Sequence, residues 1–307
     1  MAPIPFLIDG QTGWAHDEGL SYGFFHTFDA LDVSSRFGPR KVHVLLPWDY
    51  ASTTTRHGVV YLHDGDTAFW RGGEANKTWD VAGVLGRVAH RIQPVIAVAV
   101  HPVERAEEYT HQDWSHGERP YGRLPEHADY MADEIKAFID RNYRTLPEAS
   151  ANAVVGSSHG GLAAFWTAHA RPDTFGAAGA LSPSFWVGLD SLTRAVTPGD
   201  LGTSRLMEMA APTLADPARR PRLWLDWGCR RDHGFHNEVI EAKAERWTRE
   251  MIRLLRERYA YDLQELQPGE APRRDAMGWI YEDQLGGHDE DAWSYRFELL
   301  IQAFFPR

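Results

Sequence analysis

Short apolar runs alternate with stretches of helical period along most of the chain. Val42 to Leu46, Val59 to Leu62, Val95 to Val100, Ala153 to Val155, Ala177 to Leu181 and Leu223 to Leu225 are rich in Val, Ile, Leu and Ala and too short for helices. Each reads as a strand. Several are apolar almost throughout, which a parallel sheet covered on both faces requires. Between them the period changes. Val81, Val84, Leu85, Val88 and Ile92 recur at helical spacing, and Met131, Ile135, Phe138 and Ile139 form one face of a second helix. Trp247, Met251, Leu254 and Leu255 form a third, and Trp293, Phe297, Leu300 and Phe304 the last. Strand and helix in alternation predict an α/β fold with a mostly parallel central sheet and helices on both faces.

Two stretches depart from this rhythm. Residues 21–42 alternate differently and predict an antiparallel hairpin leading into the sheet edge. Residues 187–222 carry Pro198-Gly199, Pro212, Pro217 and Pro221 and fit no strand–helix unit. They are expected to be an insertion over the active-site end of one domain spanning 1–307.

Composition narrows the function. The net charge of −11 lacks the basic footprint of a nucleic-acid binder. One cysteine, Cys229, excludes an intrachain disulfide. Met1-Ala2-Pro3-Ile4-Pro5 lacks the basic and apolar regions of a signal peptide. No run approaches the roughly 18 apolar residues of a membrane span. The expectation is a cytoplasmic protein with neither a membrane nor a nucleic-acid partner, with a homo-oligomer left open.

The chemistry centres on Asn152-Ala153-Val154-Val155-Gly156-Ser157-Ser158-His159-Gly160-Gly161. Gly156-x-Ser158-x-Gly160 follows a strand and opens an Ala-rich helix, the context of a nucleophile elbow. The strained turn lifts the Ser158 hydroxyl above the sheet. The positions two before and two after it are crowded, and both are glycine. Ser157 fails this test, because Val155 and His159 would then hold the crowded positions.

A serine nucleophile needs a base, and in this arrangement the acid and then the histidine follow it in the chain. Of His169, His233, His236 and His288, only His288 lies between a strand-like run (Trp279-Ile280-Tyr281) and the last helix, in Gly286-Gly287-His288-Asp289. It is the expected base. The acid should follow the strand Leu223-Trp224-Leu225, which offers Asp226 at the strand end and Asp232 in the loop. The loop position suits the reach to an imidazole better, so Asp232 is preferred to Asp226.

These segments together resemble the putative esterase family of α/β-hydrolases, which includes esterase D, enterochelin esterases, feruloyl and acetyl-xylan esterases and mycolyltransferases. The likeness runs from about Arg40 to the C-terminus. It rests on Arg40-Lys41-Val42-His43-Val44-Leu45-Leu46-Pro47, the turn His63-Asp64-Gly65-Asp66, Arg105-x-x-Glu108-Tyr109, Ser182-Pro183-Ser184-Phe185-Trp186 and Gly286-Gly287-His288-Asp289. The resemblance implies an α/β-hydrolase fold, ester hydrolysis without a cofactor, and an oxyanion hole of two backbone N–H groups, those of His159 and Asp66. The family's acid sits in a Gly-x-x-Asp loop; here Gly228 and Asp232 are one residue further apart. Arg105, Glu108 and Tyr109 read as a structural ion pair near the site mouth.

Neither His111, Asp113 and His116 nor Asp232, His233 and His236 has a recognised metal-ligand spacing. The reading is a serine esterase that forms an acyl-enzyme on Ser158. The alternatives are an acyltransferase of the same fold and a non-catalytic binding protein.

Overall fold

The computed structural model describes residues 3–34, 36–73, 76–112, 122–190 and 198–307. In chain order the strands and helices are β1 (Ile4–Ile8), β2 (Gln11–His16), β3 (Gly23–Leu31), β4 (Arg40–Pro47), β5 (Gly58–Leu62), α1 (Gly65–Ala68), α2 (Val81–Val88), β6 (Val95–Val100), α3 (Arg105–Glu108), α4 (Leu124–Tyr130), α5 (Ala137–Asn142), β7 (Asn152–Ser157), α6 (His159–Ala170), β8 (Ala177–Leu181), α7 (Arg205–Ala215), β9 (Arg222–Gly228), α8 (Ala242–Tyr259), β10 (Leu263–Leu266), β11 (Gly278–Asp283) and α9 (Glu290–Phe304). Turns of π-helix, Met131–Lys136 and His236–Glu241, join α4 to α5 and lead into α8.

All the strands belong to one sheet of order β1-β2-β3-β4-β6-β5-β7-β8-β9-β11-β10. From β6 to β10 the neighbours run parallel. The β1 to β4 end is antiparallel and joins the rest through β4 and β6. Alternation along the strands divides the apolar residues between two cores. Val59, Tyr61 and Val154 face a core covered by α4, α6, α7 and α8. Val60, Leu62, Ala153 and Val155 face the other, covered by α2 and α9. The interior parallel strands β5, β6, β7 and β8 are therefore buried on both sides, which is why they read as nearly continuous apolar runs.

The expected hairpin is the β3–β4 pair. A further hairpin, β1–β2, extends the sheet beyond it. Its apolar side chains are not core: Ile4 and Leu7 are 58% and 73% exposed. Its readable mark is the turn Asp9-Gly10, where both residues have positive φ, as a two-residue hairpin turn demands.

The stretch 187–222, expected to be an insertion over the active-site end, is described only in part. Residues 191–197 lie outside the described part. The described remainder is the crossover between the parallel strands β8 and β9. Its helix α7 packs on α6, and the Thr213 hydroxyl donates to the His169 carbonyl. No described residue of the stretch lines the cavity above Ser158. Of its prolines, Pro212 sits inside α7, in the outer layer of the fold.

Candidate active site

Ser158 stands between β7 and α6 with φ 55 and ψ −119. Such a conformation costs a non-glycine residue roughly 1–3 kcal/mol and persists only where its surroundings enforce it. The enforcement is visible. The Ser158 N–H donates to the Leu181 carbonyl of β8 at 2.9 Å, and its carbonyl accepts from Leu162 and Ser184 N–H. A Cβ on Gly156 would lie 2.4 Å from the Gly160 carbonyl oxygen. One on Gly160 would lie 3.1 Å from Asp64 Oδ2 and 3.3 Å from His63 Cβ. Close approach to backbone therefore requires glycine at 156, whereas at 160 a methyl would press on its side-chain neighbours without an outright clash. His159 opens α6, at the electropositive end of the helix.

The cavity above the serine has a volume of about 810 Å³ and is lined by Ser158, His159, Asp66 and His288 among others. Four of the five expected site residues thus meet in one place. Asp66 arrives there on the turn after β5, where Asp64 adopts φ 54. Arg105 holds that turn through a two-pronged ion pair to Asp64 at 2.6 and 2.8 Å, and the Asp64 N–H donates to the Tyr109 hydroxyl. Glu108 pairs instead with buried Arg40 at 2.6 Å. Arg105 and Glu108 thus form two ion pairs, each with its own partner: the first braces the turn, and the second holds the segment after β6, where Glu108 Oε1 accepts from the Val103 and Glu104 N–H groups.

Asp232 is the exception. Its side chain is 64% exposed and pairs with Arg230 at 3.2 Å and His233 at 3.1 Å. The carboxylate at the histidine is that of Glu241: His288 Nδ1 lies 2.5 Å from Glu241 Oε2. Glu241 is fully buried. Its Oε1 accepts from the Ser182 hydroxyl at 2.8 Å and from the Gly228 N–H. Burial alone would raise its pKa, but the hydrogen bond and charge of His288, the charge of Arg296 and the Gly228 N–H outweigh it and hold the group at about 2.

Asp226, the other candidate, is also fully buried but points elsewhere. It accepts from Trp224 Nε1 at 2.7 Å, from Arg296 at 3.1 Å and from the Ser182 N–H at 3.0 Å. Burial pushes it up to about 6 against the pull of Arg296.

Neither aspartate is at the imidazole because the chain does not return to His288 until the π-helical turn before α8. There Asn237, Ile240, Glu241, Ala244, Thr248 and Met251 form one buried face. A glutamate on an otherwise buried helix face was the signal in the sequence.

The histidine loop is built by side chains from three elements. The His288 N–H donates to Asn237 Oδ1 at 2.8 Å, and its ring meets Trp293 edge-on at 5.0 Å. Asp289 caps α9 by accepting from the Ala292 N–H at 3.0 Å. Arg296, wholly buried, donates to Asp283 at 3.1 Å, to the Gly287 carbonyl at 2.8 Å and to the Ser182 hydroxyl at 2.7 Å. Gly286 and Gly287 let this packing close, since Cβ atoms there would meet Asp283 at 1.9 Å and Asn237 at 2.3 Å.

His159 is buried beside Ser158. Its Nδ1 lies 3.0 Å from the Ser184 hydroxyl, which is 3.4 Å from Ser158 Oγ. Burial, with Arg105 and His288 nearby, pushes it down to about 3, so the ring is neutral. Of the discounted metal sets, His111 stacks on Trp166, whereas Asp113 and His116 lie outside the described residues. Among the described residues no helix is long and apolar enough to cross a membrane.

A mostly parallel sheet, a strained serine at the strand–helix turn after β7 and a histidine before the last helix define a hydrolase of the α/β-hydrolase fold. The chain belongs to the family described as Putative esterase, whose pattern matches residues 34–300, and it is an enzyme that hydrolyses esters. Solved structures similar to it include an IroE-like serine hydrolase from Shewanella oneidensis (18% identity, TM-score 0.61, covering 89% of this chain and 78% of that one). The siderophore hydrolase EstA from Aspergillus nidulans matches at 17% identity and TM-score 0.60 over 90% of this chain and 94% of its own. The enterobactin esterase FES from Shigella flexneri matches at 18% identity and TM-score 0.60 over 91% of this chain but 56% of its own. No curated protein sequence matches the chain.

Proposed function

We propose that this chain hydrolyses a carboxylic ester of a small molecule through an acyl-enzyme on Ser158, with His288 as general base and Glu241 as the acid that orients it. The observation that carries this reading is the 2.5 Å contact between His288 Nδ1 and buried Glu241, at a cavity that also holds the strained Ser158. Glu241 fixes the tautomer with the proton on Nδ1, so Nε2 is available to the serine.

Ser158 Oγ attacks the ester carbonyl carbon as its proton passes to His288 Nε2. The backbone N–H groups of His159 and Asp66 hold the tetrahedral oxyanion. The intermediate collapses with cleavage of the carbon–oxygen bond to the alcohol, which leaves with the proton from His288. A water then loses its proton to His288 and attacks the acyl carbon. Collapse releases the acid and restores Ser158. With its pKa near 2, Glu241 stays anionic throughout and stabilises the imidazolium of each step. The cavity's volume, about 810 Å³, suits a small-molecule ester.

The test is hydrolysis of p-nitrophenyl acetate and butyrate by the wild type, Ser158→Ala and His288→Ala, with fluorophosphonate labelling alongside. Each substitution is expected to lower kcat by on the order of 10⁴ or more, and Ser158→Ala to abolish labelling. Retention of turnover by Ser158→Ala would overturn the assignment.

A further inference from the structure

Ser182-Pro183-Ser184, immediately after β8, takes no part in the bond changes above, yet it touches both ends of the machinery. Ser182 is fully buried and held at φ 41, a conformation that costs a serine energy. Its N–H donates to Asp226 Oδ1 at 3.0 Å. Its hydroxyl meets three groups: Arg296 Nη1 at 2.7 Å, Trp293 Nε1 at 3.3 Å and Glu241 Oε1 at 2.8 Å. Guanidinium and indole only donate. The single hydroxyl proton must therefore go to the carboxylate, and the direction of the chain Arg296 to Ser182 to Glu241 is fixed. That bond holds one oxygen of Glu241 and leaves the other for His288 Nδ1.

Two residues on, Ser184 is likewise fully buried. Its N–H donates to the Ser158 carbonyl at 3.0 Å. Its hydroxyl lies 3.4 Å from the nucleophilic oxygen and 3.0 Å from His159 Nδ1. The neighbouring Arg296 also grips the histidine loop through the Gly287 carbonyl.

We infer that Ser182 and Ser184 are positioning residues: one short segment sets the orientation of the acid through Ser182 and of the nucleophile through Ser184. This inference rests on the triad reading above. The strain at Ser182 has a use in it. The left-handed backbone turns the Ser182 hydroxyl to the acid side, while two residues later Ser184 lies on the nucleophile side.

The test uses the intact chain with p-nitrophenyl butyrate, a fluorophosphonate probe and proton NMR of the downfield imidazole Nδ1–H. The wild type is expected to show that resonance and His288→Ala to lack it. Ser182→Ala should displace or broaden the resonance and lower kcat about tenfold at unchanged KM, as a misplaced catalytic group does. Ser182→Gly removes the same hydroxyl while accepting the positive φ, and gives the same readings if the alanine variant fails to fold. Ser184→Ala should leave the resonance in place and slow labelling of Ser158 about fivefold. The inference is overturned if both Ser182 variants keep the wild-type resonance and kcat, or if Ser184→Ala labels at the wild-type rate. Failure of the triad reading looks different: Ser158→Ala would stay active, or the wild type would lack the resonance.

Discussion

The ends of β7 and β9 both feed the same cavity, and they do it by opposite means. At the end of β7 everything needed lies within five residues. Two glycines permit the approach, the serine takes the strain, and the helix begins at once. At the end of β9 the strand's own carboxylate, Asp226, is turned away to Arg296 and Trp224. The loop carboxylate, Asp232, sits in solvent. The carboxylate at the imidazole comes later, from the turn before α8, and reaches a histidine 47 residues further along the chain. A local device can be read from spacing. A device assembled from β9, α8 and the loop after β11 depends on which faces those elements bury.

The sharpest way to break this comparison is to exchange the two carboxylates' fates. Glu241→Gln should lower kcat by about 10² to 10⁴, since an imidazole held in the wrong tautomer cannot serve the serine. Asp232→Asn should leave kcat within about twofold and stability within about 0.5 kcal/mol, as for an exposed surface change. Equal losses from the two in p-nitrophenyl ester assays would return the acid to the loop.

A smaller effect tests the elbow itself. Gly156→Ala places a methyl 2.4 Å from a backbone oxygen and should cost about 2–3 kcal/mol in denaturant unfolding. Gly160→Ala, whose nearest neighbours stand at 3.1 Å or more, should cost less. The reverse ranking would mean that the turn is not closed by the first glycine.

The smallest effect is a pH slope. Burial raises Asp226 from 3.8 to about 6 in the folded chain. Between those values the folded state keeps a proton that the unfolded chain has lost, so this group's contribution to stability falls as pH rises through the window. Glu241 does the opposite. Its folded pKa is lowered from 4.5 to about 2, so its contribution is complete above about 4.5 and is lost as pH falls towards 2. Unfolding of Asp226→Asn against the wild type should therefore move in the variant's favour between pH 4 and 6. A constant difference across that range would show that Asp226 is ionised throughout.

The strands from β3 to β9 and β11, a mostly parallel sheet, the elbow and the histidine loop were legible in the sequence, whereas the four-residue edge strand β10, with Gln264 and Glu265 in its middle, was not. β1 and β2 were not, because their side chains are largely exposed and carry no burial pattern. The prolines at 212, 217 and 221 suggested a cover over the site. Of these, Pro212 lies inside α7, a helix of the outer layer.

By itself, the sequence determined what short-range sterics dictate: apolar runs that must be covered on two faces, and a serine between glycines at the one spacing that lets a strand turn sharply into a helix. It also placed the histidine, since a glycine pair before the last helix marks a loop where backbone and side chains meet closely. Which carboxylate meets the imidazole was settled by the packing of distant elements. Asp226, Asp232 and Glu241 are all carboxylates within reach in the chain. Which of them meets the imidazole depends on the buried Arg296, which binds Asp226 directly and approaches Glu241 through Ser182. It depends equally on the face that the turn before α8 presents to the sheet.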